Sequence, residues 1–305
     1  MSYKCKECGQ EFKSERSLHA HLKKHSLTLG EYYTKHFPRY NLLTKEPLPF
    51  KNKADYFAKD FATYQQMLKW CNQASKEEVK AYILKELKHR VKTKELKYAP
   101  NHLEVLLNKL PPLELFREHY GSYSAACEEV GVEPLYNKGV IKKFYAPVEE
   151  FENIGIFIDT REQQPLKFNN SQEMKLDFGD YTSIGDDYTH TYVDRKSETD
   201  FKSTLSTGFD RFRRELQRAK DFNSYLYIVV ESSIPKIKKN NNFCPHRSNL
   251  RYIWHNMRVL SHDFARSCQF VFSGNRRNSE KIIPRLLAIG EPLWNVDIQY
   301  YLDKK

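Results

Sequence analysis

The spacing of apolar positions changes rhythm along this chain, and the changes mark its elements. Val79, Ile83, Leu84, Leu87 and Val91 recur at close to helical spacing. Thr28-Leu-Gly-Glu31 and Ser75-Lys-Glu-Glu78 match the capping box that begins a helix, whereas Pro47, Pro49 and the pair Pro111-Pro112 interrupt one. Residues 27–146 therefore read as mainly helical. A short helix near Ser124–Val130, ending at Gly131, is either half of a helix-turn-helix unit or part of a plain bundle; no clear recognition helix follows it. Tyr145–Glu150 reads as a linker.

From Asn153 the period shortens. IGIFIDTRE (154–162) is a short apolar run that ends in charge, YTHTYVDRK (188–196) alternates, and SYLYIVVES (224–232) has the content of a buried strand. Between the last two, Phe209, Phe212, Leu216 and Ala219 line one face of a predicted helix, with Arg211, Arg213, Arg214 and Arg218 around it. Tyr252, Ile253, Met257, Leu260 and Phe264 form another helical stripe, Phe270–Phe272 a last strand, and Ile282, Ile283, Leu286 and Leu287 a closing helix. KIKKNNN (236–242) reads as a mobile basic loop that reaches DNA. Strands that deliver acids, followed by helix and strand, predict an α/β core with a polar site on one edge.

Composition narrows the class. At 305 residues the chain is long enough for two or three domains, with 40% apolar and 29% charged residues. No apolar run approaches membrane-spanning length, and the MSYKCKECGQ start lacks the apolar stretch of a signal peptide, so an intracellular protein with no membrane partner is expected. Net charge is +11 and unevenly placed. Residues 1–150 carry net +7, residues 151–231 net −4, and residues 232–305 net +8. Basic flanks suit a polyanion, and an acidic stretch between them suits a divalent cation. Of six cysteines only Cys5 and Cys8 are closely spaced, and a disulfide framework is not expected. His246, His255 and His262 have no ligand spacing with the cysteines and read as ordinary residues.

Cys5-x2-Cys8-x12-His21-x3-His25 has the donor types and spacing of a tetrahedral zinc site. Tyr3, Phe12 and Leu18 fall where a small ββα core needs apolar residues, so the stretch resembles a C2H2 zinc finger. Its base-reading positions fall on Ser14, Ser17 and Ala20, which have little bidentate capacity. Lys13, Arg16, Lys23 and Lys24 are suited to phosphates. The finger thus reads as a docking element on a nucleic-acid backbone, with protein binding as the alternative.

The acidic stretch carries the chemistry. Asp194 and Lys196 are two apart on a strand and share a face. A turn near Gly185-Asp186-Asp187, in which the two aspartates read as turn residues, folds Asp180 back beside Asp194. Two carboxylates and a lysine that converge suit Mg²⁺ or Mn²⁺ and phosphoester hydrolysis. On strand parity Arg195 faces the other way, Asp200 reads as a helix cap, and Glu231 reads as structural.

IDTRE, GDY, VDRKSETD, FDRFRRELQRA and YIVVE, in that order, resemble the XPF-type nuclease domain, a restriction-endonuclease-like fold with the hallmark GDxnERKx3D. The hallmark here is Gly179-Asp180, Asp194-Arg195-Lys196 and Asp200. The resemblance covers roughly residues 153–232. It implies metal-ligand roles for Asp159, Asp180 and Asp194, a catalytic role for Lys196, supporting positions for Glu162, Arg195 and Asp200, and DNA contact through Arg211, with Arg214 beside it. It further implies Mg²⁺ or Mn²⁺, branched DNA as substrate, and a homodimer through the nuclease domain. Two departures stand out. Asp194 replaces the usual Glu, and residues 232–305 lack the tandem helix-hairpin-helix module.

The expected organisation is a zinc finger over 1–26, a helical linker or DNA-binding segment over 27–146, a nuclease domain over 151–292 and a tail over 293–305. The expected activity is metal-dependent DNA endonuclease, structure-specific at flaps, forks or junctions, in repair, recombination or replication. The alternatives are a non-catalytic DNA-binding scaffold and a sequence-specific restriction or homing enzyme. All three of Asp180, Asp194 and Lys196 are present, which a decayed copy would not be expected to keep.

Overall fold

The computed structural model describes residues 2–50, 56, 59–185 and 188–304. Asp186 and Asp187 lie outside the described residues. The chain divides into two units, Met1–Ile83 and Leu84–Lys305, with the division inside the 19-residue helix Lys76–Lys94.

The first unit begins with an antiparallel pair, β1 (Tyr3–Lys4) and β2 (Glu11–Phe12), followed by the helix Glu15–His21 and a 3-10 turn, Leu22–His25. Ser14 caps that helix by accepting from Ser17 N, so one expected base-reading side chain is engaged in the fold. Cys5, Leu18, Leu22 and Tyr32 form the small core. Tyr3, expected in it, is 40% exposed. The next helix, Leu29–His36, contributes to this core instead: Tyr32 is buried and its hydroxyl accepts from Lys6 N at 2.9 Å. The capping boxes Thr28/Glu31 and Ser75/Glu78 both form.

The second unit is built on a six-stranded mixed sheet in the order β10-β9-β8-β7-β5-β6. Its strands are β5 (Ile156–Asp159), β6 (Ser171–Met174), β7 (Tyr181–Ser183), β8 (Thr191–Lys196), β9 (Tyr225–Val230) and β10 (Cys268–Phe272). A two-stranded pair, β3 (Tyr98–Ala99) and β4 (Glu133–Pro134), lies outside it. β8, β9 and β10 run parallel, which explains why the YIVV run is buried at every position: both faces of β9 are covered. On one face, Phe201, Phe212, Leu216, Ile253 and Met257 pack from the helices Glu198–Thr204, Phe209–Asp221 and Leu250–Asp263. On the other, Ile282, Ile283, Leu286 and Leu287 pack from Arg276–Ile289, with Phe144 and Phe151.

Several expectations are corrected. KIKKNNN is not a loop but part of the helix Ile234–Phe243, capped by Ser233 and tied down where Asn240 Nδ2 donates to Glu198 at 2.8 Å. The linker around 145–150 consists of 3-10 turns that bury Phe144 and Phe151 under the Arg285 guanidinium. Residues expected as a tail are core: Leu293, Val296 and Ile298 are fully buried. A separate helix, Glu198–Thr204, precedes the expected one at Phe209–Asp221; the chain turns between them at Gly208, where a Cβ would lie 3.2 Å from Thr204 Cα. Tyr252, assigned to an apolar stripe, is 48% exposed. After the helices Leu113–Tyr120 and Tyr123–Val130 the chain enters β4, so no recognition helix follows. No helix among the described residues is long and apolar enough to cross a membrane.

Gly290 gives the fold a direct test. Its φ is +64°, and a Cβ there would lie 2.4 Å from Thr189 Cβ. Gly290→Ala is expected to cost at least about 2 kcal/mol through strain and overpacking, read as a lowered denaturation midpoint.

Candidate functional site

Three carboxylates meet at one end of the sheet. Extending the pairs Ile158↔Tyr181 and Tyr181↔Val193 by one position sets Asp159, Asp180 and Asp194 in one row across β5, β7 and β8. The backbone bonds Asp159 N to Asp180 O (2.8 Å) and Asp180 N to Val193 O (2.7 Å) hold that row together. Cross-strand neighbours lie about 5 Å apart on one face, close enough for like charges to oppose each other. Gly179 makes the approach: its φ is +67°, and a Cβ would sit 3.0 Å from both Val193 O and Leu226 Cδ1.

The three acids differ in environment. Asp159 is buried, and each of its oxygens accepts two N–H groups: Oδ1 from Arg161 N and Nε (both 2.7 Å), Oδ2 from Arg161 Nη2 (2.8 Å) and Leu176 N (2.7 Å). Burial would raise its pKa, but these bonds outweigh burial and lower it. Expected as a third metal ligand, Asp159 has no free oxygen as placed. Asp180 is different. One oxygen accepts from Arg195 N (2.7 Å), and burial, then the Asp194 charge, raise its pKa well above the carboxylate range. Asp194 is also raised, by burial first, against the opposing pull of Lys196.

Lys196 Nζ donates to Asp194 Oδ1 at 3.0 Å and lies 2.8 Å from Oδ2 without hydrogen-bond geometry to it. Asp194 Oδ2 is thus a buried carboxylate oxygen with no hydrogen-bond partner. Burial would lower the pKa of Lys196, but Asp194 beside it prevails and raises it. The ammonium sits 4.9 Å above the Phe212 ring.

Arg195, one position off, faces the opposite side of β8. It forks onto Glu162 at 3.0 Å and reaches Glu231 at 2.9 Å, with all three side chains nearly buried. Glu162 and Arg195 therefore brace the strand ends from the far face, and Glu231 joins them in the structural role expected of it. Asp200 is exposed and bonded to Ser197, which is the actual N-cap of Glu198–Thr204; Asp200 completes the turn from its third position. Arg211 and Arg214 are exposed on Phe209–Asp221. One residue near the site was missed. Glu215 accepts from Gly179 N at 3.0 Å, and its charge acts on both Asp194 and Lys196. Set among arginines it resembled surface charge, and its only signal was its place beside the apolar stripe through Phe212 and Leu216.

In the first unit, Cys5, Cys8, His21 and His25 place their ligand atoms within 4.8 Å of one another. Cys8 Sγ lies 3.3 Å from His21 Nε2, and Cys5 Sγ lies 3.7 Å from His25 Nε2. Tetrahedral bonds of about 2.0–2.3 Å imply donor separations in that range, so this cluster can hold zinc. Burial, then His25 and Lys24, lower the pKa of His21, which favours the neutral, ligating form. Lys13, Arg16, Lys23 and Lys24 are exposed around it.

Two outcomes test the site's electrostatics. Arg195→Ala leaves Glu162 without its cation and Glu231 with only Arg276 at 3.7 Å, and is expected to cost about 3 kcal/mol. Asp180→Asn is expected to raise the denaturation midpoint of metal-free protein near neutral pH. A carboxyl whose pKa is raised by folding destabilises the folded state at every pH above its unfolded pKa, and the amide removes that penalty.

No family model matches this chain, and no curated protein sequence matches it. Among solved structures, part of the chain is similar to XPF from Aeropyrum pernix, with 18% identity and a TM-score of 0.35, over 48% of this chain and 69% of that chain. XPF from Aeropyrum pernix in complex with DNA is similar at the same identity and TM-score, over 45% of this chain and 64% of that chain.

Proposed function

We propose that this protein is a metal-dependent DNA endonuclease that hydrolyses phosphodiesters at the Asp180–Asp194–Lys196 site. One observation carries the reading: the buried Asp194 faces the half-buried Asp180, has an oxygen with no hydrogen-bond partner, and lies beside the half-buried Lys196. Like charges so placed are stabilised by a divalent cation, and hard carboxylate oxygens suit Mg²⁺ or Mn²⁺. Asp180 and Asp194 would hold it. When bound, such an ion supplies Lewis-acid stabilisation of phosphate charge and a more acidic water.

The chain's own groups do the rest. Lys196, kept protonated by Asp194, serves as a fixed positive charge for the developing phosphate oxyanion and not as a base. Glu162, Arg195 and Glu231 hold β8 in register, and Glu215 fixes the Gly179 turn. Arg211 and Arg214 offer exposed cations to the DNA backbone. The zinc finger and its lysines dock nucleic acid without reading sequence. Branched DNA as substrate, a homodimer through the nuclease domain, an intracellular setting and a role in repair, recombination or replication belong to the same reading.

One observation favours a second reading. With Asp159 held by Arg161, the site has the appearance of a non-catalytic DNA-binding scaffold. A single assay separates the two: labelled flap, fork, four-way junction and plain duplex DNA with Mg²⁺ or Mn²⁺. Cleavage of branched substrates is expected, lost in Asp180→Asn and Asp194→Asn and reduced at least about 100-fold in Lys196→Ala. No cleavage by wild type with either metal defeats the enzyme, and equal cutting of plain duplex defeats structure preference. Separately, one equivalent of zinc is expected in protein purified without chelator, and Cys8→Ser is expected to lose it.

A further inference from the structure

A cavity of about 600 Å³ opens between the C-terminal half of Lys76–Lys94, the helix His102–Asn108 and Leu250–Asp263. That is the size of a ligand pocket. Its lining is basic: Arg90, Lys94, Arg251 and Arg258 face a single carboxylate, Glu104. Glu104 is already engaged, by Arg90 Nε at 3.1 Å and by His262 Nε2 at 3.3 Å. Lys94, Arg251 and Arg258 form no ion pair among the described residues, so their charge is uncompensated. His262 is nearly buried, lines the cavity, and its Nδ1 has no hydrogen-bond partner. Burial, then Arg258 and Lys94, lower the pKa of the neighbouring His255, a further sign of positive potential.

The rim is aromatic. Tyr252 is 48% exposed, although its position belongs to an otherwise apolar stripe. Trp254 lines the cavity and packs on Phe201 with centroids 5.6 Å apart. Phe201 lies in the helix that follows Lys196, and Asn256 Nδ2 donates to Leu205 O at 2.8 Å, so this wall is anchored to the segment leaving the catalytic strand.

We propose that the cavity is a second nucleic-acid site, which takes the phosphates of a single DNA strand on Lys94, Arg251 and Arg258 and stacks a base on Tyr252. Cations without a carboxylate partner among the described residues (Arg258 bonds only to His255 Nδ1, at 3.1 Å) beside an exposed ring match the charged backbone and flat base of a single strand, and base stacking requires that the base be unpaired. Duplex DNA would meet the cations but leave the ring unused. The proposal rests on the nucleic-acid reading above and not on cleavage.

The test uses the full chain with Asp180→Asn to remove hydrolysis, without added divalent metal. Fluorescence anisotropy measures binding of a labelled oligothymidylate of roughly 15 nucleotides, and of a duplex of equal length, across a salt series. Arg251→Glu with Arg258→Glu is expected to weaken single-strand binding more than about tenfold and to flatten the salt slope by about 1.4. Tyr252→Ala is expected to weaken it about 5- to 100-fold, and Tyr252→Phe to retain it. If the charge reversal does not fold, Arg251→Gln with Arg258→Gln reads the same slope. Unchanged affinity and slope in folded variants overturn the proposal, as does duplex bound as tightly through the same residues. Lost binding here with intact wild-type cleavage of branched DNA leaves both readings standing; absent wild-type cleavage with residue-dependent binding defeats hydrolysis alone.

Discussion

Everything at the acidic end of the sheet answers to one constraint: two carboxyl groups, the half-buried Asp180 and the buried Asp194, are held side by side. Neither burial nor Coulomb repulsion favours that, and both raise the pKa of Asp180. The arrangement persists because the backbone imposes it. Gly179 lets the chain pass close to Val193, and Asp180 N is bound to Val193 O. Lys196 compensates one of the two charges directly.

Such a pair needs a rigid frame, and the frame is on the opposite face of the same strand. Strand alternation that points Asp194 and Lys196 into the site points Arg195 away, between Glu162 and Glu231. A buried cation shared by two buried acids is costly to disturb, and it joins the ends of β8 and β9 to the turn after β5. The helix Phe209–Asp221 adds Phe212, whose ring lies 4.9 Å from the Lys196 ammonium, and Glu215, which accepts from Gly179 N in the glycine turn. The small N-terminal unit has a different solution to a similar shortage of core. Its few buried side chains are supplemented by Tyr32 from the next helix and by four donors that converge for a metal.

Local signals were the most legible. The clustering of Cys5, Cys8, His21 and His25 follows from their spacing, because two turns of known shape fix where four donors go. Capping boxes at Thr28 and Ser75 form as read, since a cap is decided within four residues. The pairing of Asp194 with Lys196 follows from period two. What failed was local reading of segments whose state is set by distant partners. KIKKNNN is polar enough for a loop, yet it is helical where Glu198 accepts from Asn240. Tyr3 looked like core, yet it is exposed, and Tyr32 from the next helix is buried in the cluster. Asp159 looked like its fellow acids, and only the placement of Arg161 shows its oxygens already engaged.

The sequence by itself determined the elements that depend on neighbours within a turn or two: the Cys/His cluster, the amphipathic helix with its arginines, the buried strand and the acid–lysine alternation. Tertiary structure decided which acids share a row, which carboxylate keeps an oxygen without a hydrogen bond, that Glu215 reaches the site, and that Lys94, Arg251 and Tyr252 border one cavity. The physical reason is range. Capping, periodicity and metal-ligand spacing act through a few bonds of chain, whereas pKa and charge compensation depend on burial and on groups brought together from far along it. VDRKSETD shows both: its alternation was readable in the letters, and the meaning of each charge came from the strand, helix and turn packed against it.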